Sequence, residues 1–74
     1  MGESPADELR LWAVADAVAA LGPKKRLVVV LRYWLDFPLE EIAELLQIPV
    51  GTVASRLNRA HEELRGRLEE DVVA

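Results

Sequence analysis

Between Thr52 and Arg59 the chain reads TVASRLNR, which sets two hydroxyls and two guanidinium groups at positions 52, 55, 56 and 59. Intervals of three and four residues gather all four side chains on one side of an α-helix. From Ile48 onward no acidic residue intervenes before Glu62, although the whole chain carries a formal charge of −4. Arginine in such a place grips a phosphate or takes a guanine edge bidentately, and Thr and Ser hold phosphates or read bases more permissively. The chemistry is recognition of a polyanion. Lys24, Lys25 and Arg26 form a second basic cluster. For these three, phosphate contact and ordinary solvation at a helix start are equally open readings, since cations near a helix N-terminus are mildly disfavoured and need a reason.

Charge alternates along the chain. Residues 24–36 carry Lys24, Lys25, Arg26 and Arg32 against Asp36, net +3, and residues 48–67 carry Arg56, Arg59, Arg65 and Arg67 against Glu62 and Glu63, net +2. Acidic stretches flank them: Glu40, Glu41 and Glu44 in one, Glu69, Glu70 and Asp71 in another. The acidic group at 40–44 reads equally as a solvated face or as a grip for a basic partner. Affinity without sequence preference comes from neutralising phosphates, so a net negative domain is expected to bind DNA weakly alone and with steep salt dependence.

Catalytic chemistry has little to work with. There is no cysteine, one histidine, no glycine-rich phosphate loop and no carboxylate pair set in a cleft, so neither an enzyme, a metal site, a cofactor nor a small-molecule substrate is expected. His61 lies past the contact side and is expected to be a partly exposed helix residue. The longest apolar run, LVVVL at 27–31, is too short to span a bilayer, and Met1-Gly2-Glu3-Ser4 is not expected to open a signal peptide. A cytoplasmic protein is expected.

The elements that must position these groups are helices. At 74 residues, 51% hydrophobic and 30% charged, the chain fits one folded domain spanning 1–74. Ser4-Pro5-Ala6-Asp7 is a helix start with Ser4 as cap, and Leu11, Val14, Ala15 and Val18 form an apolar stripe. Pro23 opens the next helix. Its β-branched run suits a strand, yet Leu27, Val30, Leu31 and Trp34 keep helical spacing. Leu39, Ile42, Ala43 and Leu46 mark a short third helix, and Val53, Leu57, Ala60 and Leu64 a longer fourth. The expected fold is all-α, a small four-helix domain without strand or wing, with helices at about 5–21, 23–35, 39–46 and 50–68 and a frayed tail at 69–74. The stripes containing Trp12 and Trp34 are expected in the core, and Arg32 is expected to pair with Glu41 or Glu44. The last two helices, joined by a three-residue turn, match a helix-turn-helix whose second helix enters the major groove.

GPKKRLVVVLRYW, PLEEIAELLQ and above all IPVGTV followed by SRL resemble region 4 of bacterial sigma-70-type factors, particularly the extracytoplasmic-function group. The likeness runs over residues 21–65. It implies recognition of the −35 promoter element within a factor that directs RNA polymerase. It also implies contact with the flap of the polymerase β subunit and, as in many members, with an anti-sigma factor. By position, Ser55, Arg56 and Arg59 match recognition-helix contacts, and Arg26 and Thr52 match positions near the DNA backbone. Three residues depart from the pattern: Ala54 stands where Lys or Arg is common, Gln47 replaces a turn glycine, and Pro38 replaces a Ser cap. The part of a sigma factor that melts the −10 element is absent, so an excised domain is expected. Two other readings compete. One is an interaction module read by polymerase or an anti-sigma factor with negligible DNA binding in isolation, which the net charge and Ala54 favour. The other is the output domain of a response regulator, which lacks support because the usual threonine-arginine-glutamate opening of the preceding helix is missing.

Overall fold

The computed structural model describes the backbone of residues 5–73 and the side chains of residues 10–69, so the expected Ser4 cap lies outside the described residues. Helix α1 (Pro5–Ala20) ends where Leu21 turns its N–H back to Val18 O at 3.1 Å. Gly22 is extended, at φ −61° and ψ 157°, and Pro23 with its preset φ begins α2 (Pro23–Val29). The β-branched run is helical, as its spacing predicts.

Past Val29 the helix does not stop but widens into one π turn, Val30–Trp34, in which Leu35 N–H reaches five residues back to Val30 O at 3.1 Å. Asp36 then takes a left-handed conformation at φ 60°, and Phe37 N–H closes on Leu31 O at 3.0 Å. Asp tolerates that region better than most residues. The Arg32 guanidinium donates to Phe37 O at 3.2 Å and braces the same turn. Arg32 is therefore structural, but the expected pairing with Glu41 or Glu44 does not form. The guanidinium is instead taken by the Phe37 carbonyl, five residues on in its own segment.

Helix α3 (Leu39–Leu46) starts from extended Pro38 with no side-chain cap. It ends in a Schellman closure: Gln47 is left-handed (φ 58°, ψ 46°), Ile48 N–H bonds Ala43 O at 3.1 Å and Gln47 N–H bonds Glu44 O at 3.3 Å. Lacking glycine's freedom, Gln47 recovers one contact by donating Nε2 to Glu44 O at 2.9 Å. Pro49 O then accepts from Thr52 N–H at 3.0 Å and Val53 N–H at 3.2 Å, starting α4 (Val50–Val73). The turn is the expected three residues. The expected end near Leu68 is corrected: α4 continues through Val73. No proline and no glycine beyond Gly66 stops it, and each added residue contributes one backbone bond.

Helix α4 is the axis, packed against α1, α2 and α3. Its Val53, Leu57 and Ala60 meet Val18 and Leu21 from the first segment, Val28, Val29 and Leu31 from the second and Ile42 from α3. Val14, Phe37, Leu39, Ala43, Leu46, Ile48 and Leu64 pack around that cluster. The stripes of α3 and α4 face inward as expected. Two others are corrected. On α1 the buried side is Ala17, Val18 and Leu21 with half-buried Val14, while Leu11, Trp12 and Ala15 are exposed. On α2 and the π turn it is Val28, Val29 and Leu31, leaving Leu27 and Trp34 out. Trp12 is 69% and Trp34 58% exposed, so neither is a core residue. A run that is apolar on every side cannot reveal its facing by period alone, and a core this small cannot cover two indoles.

Candidate nucleic-acid interface

The closure at Gln47 holds α3 against α4 and thereby fixes which side of α4 is left open. With Val53, Leu57 and Ala60 buried, Ser55 and Arg59 are exposed, while Thr52 and Arg56 are half-buried along one flank. The four residues are thus brought together as a rim and a crest rather than as one surface opposite the core. Sequence reasoning missed Asn58, which is exposed, three residues after Ser55 and beside Arg59. Its position was readable from spacing; its polarity alone did not distinguish it from a solvated residue.

The flank does not end at Arg59. Thr52, Arg56, Arg59 and Glu63 follow at i, i+4, i+7 and i+11, one stripe of the helix. Glu63 would interrupt the positive stripe, yet two cations offset it. Lys25 Nζ donates to Oε1 at 2.9 Å from the start of α2, and Arg67 Nη2 lies 3.5 Å from Oε2. The hydrogen bond from Lys25, with the charges of Lys25 and Arg67, holds the Glu63 carboxyl below its ordinary value against a smaller opposing desolvation.

The α2 cluster divides by role. Arg26 Nη1 donates to Ala19 O at 3.0 Å and Leu21 O at 3.4 Å, satisfying carbonyls at the end of α1 where a cation is favoured. Lys25 pairs with Glu63, and Lys24 is exposed without a hydrogen bond or ion pair among the described residues. Lys25 and Arg26 thus serve α4 and α1 respectively, contacts that sequence reading could not supply.

On the other flank of α4, Tyr33 Oη lies 2.8 Å from His61 Nε2, tying the π turn to the helix. Beside it Trp34 and Leu35 stand 58% and 56% exposed. Among the described residues no group of three or more His, Cys, Asp or Glu could hold a metal ion, and no helix is long and apolar enough to cross a membrane. Glu40, Glu41 and Glu44 are all exposed on α3.

A family model described as "Sigma-70, region 4" matches residues 11–64. An RNA polymerase sigma-E factor of Streptomyces antibioticus is 50% identical over 54 residues, 73% of this chain and 30% of that protein. A sigma-E factor of Streptomyces avermitilis is 48% identical over 54 residues, with the same shares. The ECF RNA polymerase sigma factor SigW of Bacillus subtilis is 42% identical over 57 residues, 77% of this chain and 30% of that protein. The chain thus spans about a third of the length of the curated relatives it matches.

Proposed function

Since the chain belongs to the sigma-70 region 4 family, as a domain of the extracytoplasmic-function type, we propose that it recognises the −35 element of bacterial promoters and directs RNA polymerase in the cytoplasm. The observation that carries this is the outward set Ser55, Asn58 and Arg59 on α4, rimmed by Thr52 and Arg56 and held behind a three-residue turn. Ser55, Asn58 and Arg59 reach base edges in the major groove: Arg59 suits guanine O6 and N7, and Asn58 suits adenine N6 and N7. Thr52 and Arg56 lie against the phosphates, with Lys24 and Lys25 extending the same phosphate track.

Selection of duplexes from a randomised pool tests the reading, repeated with Arg59→Ala. The expected result is a short enriched motif, with Arg59→Ala costing ~1–3 kcal/mol and relaxing preference at one position. An equal loss on every sequence would remove base reading by Arg59.

A second reading is favoured by the apolar surface at Tyr33, Trp34 and Leu35. There the domain binds protein, the β flap of polymerase or an anti-sigma factor, and the acidic α3 adds a grip for basic side chains. Trp34→Ala is expected to weaken polymerase association and to leave the selected DNA motif unchanged.

A further inference from the structure

We propose that Glu63 is a built-in competitor for the DNA backbone: it holds Lys25 against α4, and a phosphate of the bound duplex takes Lys25 from it. The inference rests on the reading of α4 as the DNA-facing helix and adds to it a cation and the group that restrains that cation.

Four observations converge. Glu63 lies on the stripe of Thr52, Arg56 and Arg59, four residues and so about 6 Å beyond Arg59 along the helix. Lys25 comes from a different helix, so its ammonium reaches this stripe only by crossing from α2, which the 2.9 Å contact records. Both partners are partly open to water, with side chains 36% and 30% exposed, and exposed pairs are weakly held. The two carboxylate oxygens are divided: Oε1 faces Lys25 and Oε2 faces Arg67. When Lys25 leaves for a phosphate, Arg67 remains four residues along the same helix to offset the carboxylate.

A flexible ammonium suits this exchange, since lysine is a point charge without the paired geometry that locks an arginine onto a carboxylate. Arg26, two bonds deep in backbone carbonyls, is already committed to α1. Lys25 is thus the conditional cation of the cluster. In the free chain its pairing keeps the domain's pull on arbitrary polyanions down, and in the complex it lengthens the phosphate track that Arg56 and Arg59 begin.

The test is a salt titration of the 74-residue chain against the selected duplex and against a duplex of mixed sequence, for wild type, Lys25→Gln, Glu63→Gln and the double variant. Thermal melts confirm that each variant folds. Lys25→Gln is expected to lower the slope of log affinity against log salt by about one, the loss of one phosphate contact. Glu63→Gln is expected to tighten binding about two- to fivefold, the scale of an exposed ion pair. In the Lys25→Gln background that gain disappears, because Glu63 acts through Lys25. A carboxylate acting only as a repelling charge gives the opposite: without Lys25 it is less neutralised, and Glu63→Gln then gains as much or more. That result, or an unchanged slope in Lys25→Gln alongside a clear motif, overturns the proposal and leaves promoter reading intact. The expected cycle without any motif preference supports the exchange and removes base reading. No binding of any duplex by any of the four proteins at low salt overturns both.

Discussion

Tyr33 Oη and His61 Nε2 are 2.8 Å apart, their rings 5.5 Å between centroids and tilted by 44°, so the π turn is fastened to α4 by a contact made 28 residues apart in sequence. The bond sits on the flank away from Thr52 and Arg56. Tyr33→Phe keeps the ring and removes the hydroxyl, and is expected to lower unfolding free energy by no more than about 1 kcal/mol. Denaturant melts measure this. Duplex binding is expected to be unchanged, because Thr52 and Arg56, the proposed phosphate contacts, lie on the other flank of α4.

Gln47 occupies a left-handed position that glycine fills without steric cost. Gln47→Gly gives up the Nε2 contact to Glu44 O, which is exposed, and relieves the backbone. The expected outcome is a gain of up to ~1 kcal/mol in chemical denaturation. A loss of stability would mean that the side-chain contact outweighs the strain.

Ile42 is fully buried at the junction of α3 with α4. Ile42→Ala removes three carbons from a small core and is expected to cost about 2–5 kcal/mol. A domain of this size has little to spare, so a large loss of helical signal at ambient temperature is the practical readout.

Glu63 supplies the pH dependence. Its carboxyl is lowered in the folded chain, first by the hydrogen bond from Lys25 and then by the charges of Lys25 and Arg67. The unfolded chain therefore takes up this proton first as pH falls, and the stabilisation is full above the ordinary value of 4.5 and lost below it as the folded carboxyl titrates. Wild type is expected to exceed Glu63→Gln in melting temperature by a constant margin from neutral pH down to about pH 5, with the margin closing in more acid solution. A margin that widens on acidification would contradict the assignment.

Much of the fold could be read from residue order. Pro23, Pro38 and Pro49 marked the helix starts, and the i, i+3, i+4, i+7 stripes of α3 and α4 face the core as their spacing says. What failed was facing within uniformly apolar segments. Leu27, Val28, Val29, Val30 and Leu31 satisfy any helical phase, and the π turn that begins at Val30 shifts the phase again, so Trp34 came out to solvent. Trp12 failed for a simpler reason: it lies on the side of α1 away from Ala17, Val18 and Leu21, whose burial turns it outward. At the site, spacing placed Thr52, Ser55, Arg56 and Arg59 on the side of α4 opposite its core stripe; Ser55 and Arg59 are exposed, whereas Thr52 and Arg56 are half-buried. It could not tell the half-buried rim from the exposed crest. Long-range pairs were not legible either. Lys25 with Glu63 and Arg26 with the α1 carbonyls depend on how α2 crosses its neighbours, and no local pattern encodes that crossing.

DNA is proposed to meet the Thr52–Arg59 side of α4. The most direct measurement is a nuclear magnetic resonance titration of the isotope-labelled chain with its selected duplex, following backbone amides together with arginine and lysine side-chain signals. The largest shifts are expected at Thr52, Ser55, Arg56, Asn58 and Arg59, a smaller one at Lys25, and little change at Tyr33, Trp34 and Leu35. Shifts concentrated at Tyr33–Leu35 and on the acidic face of α3, with Ser55 and Arg59 unmoved, would contradict the proposal.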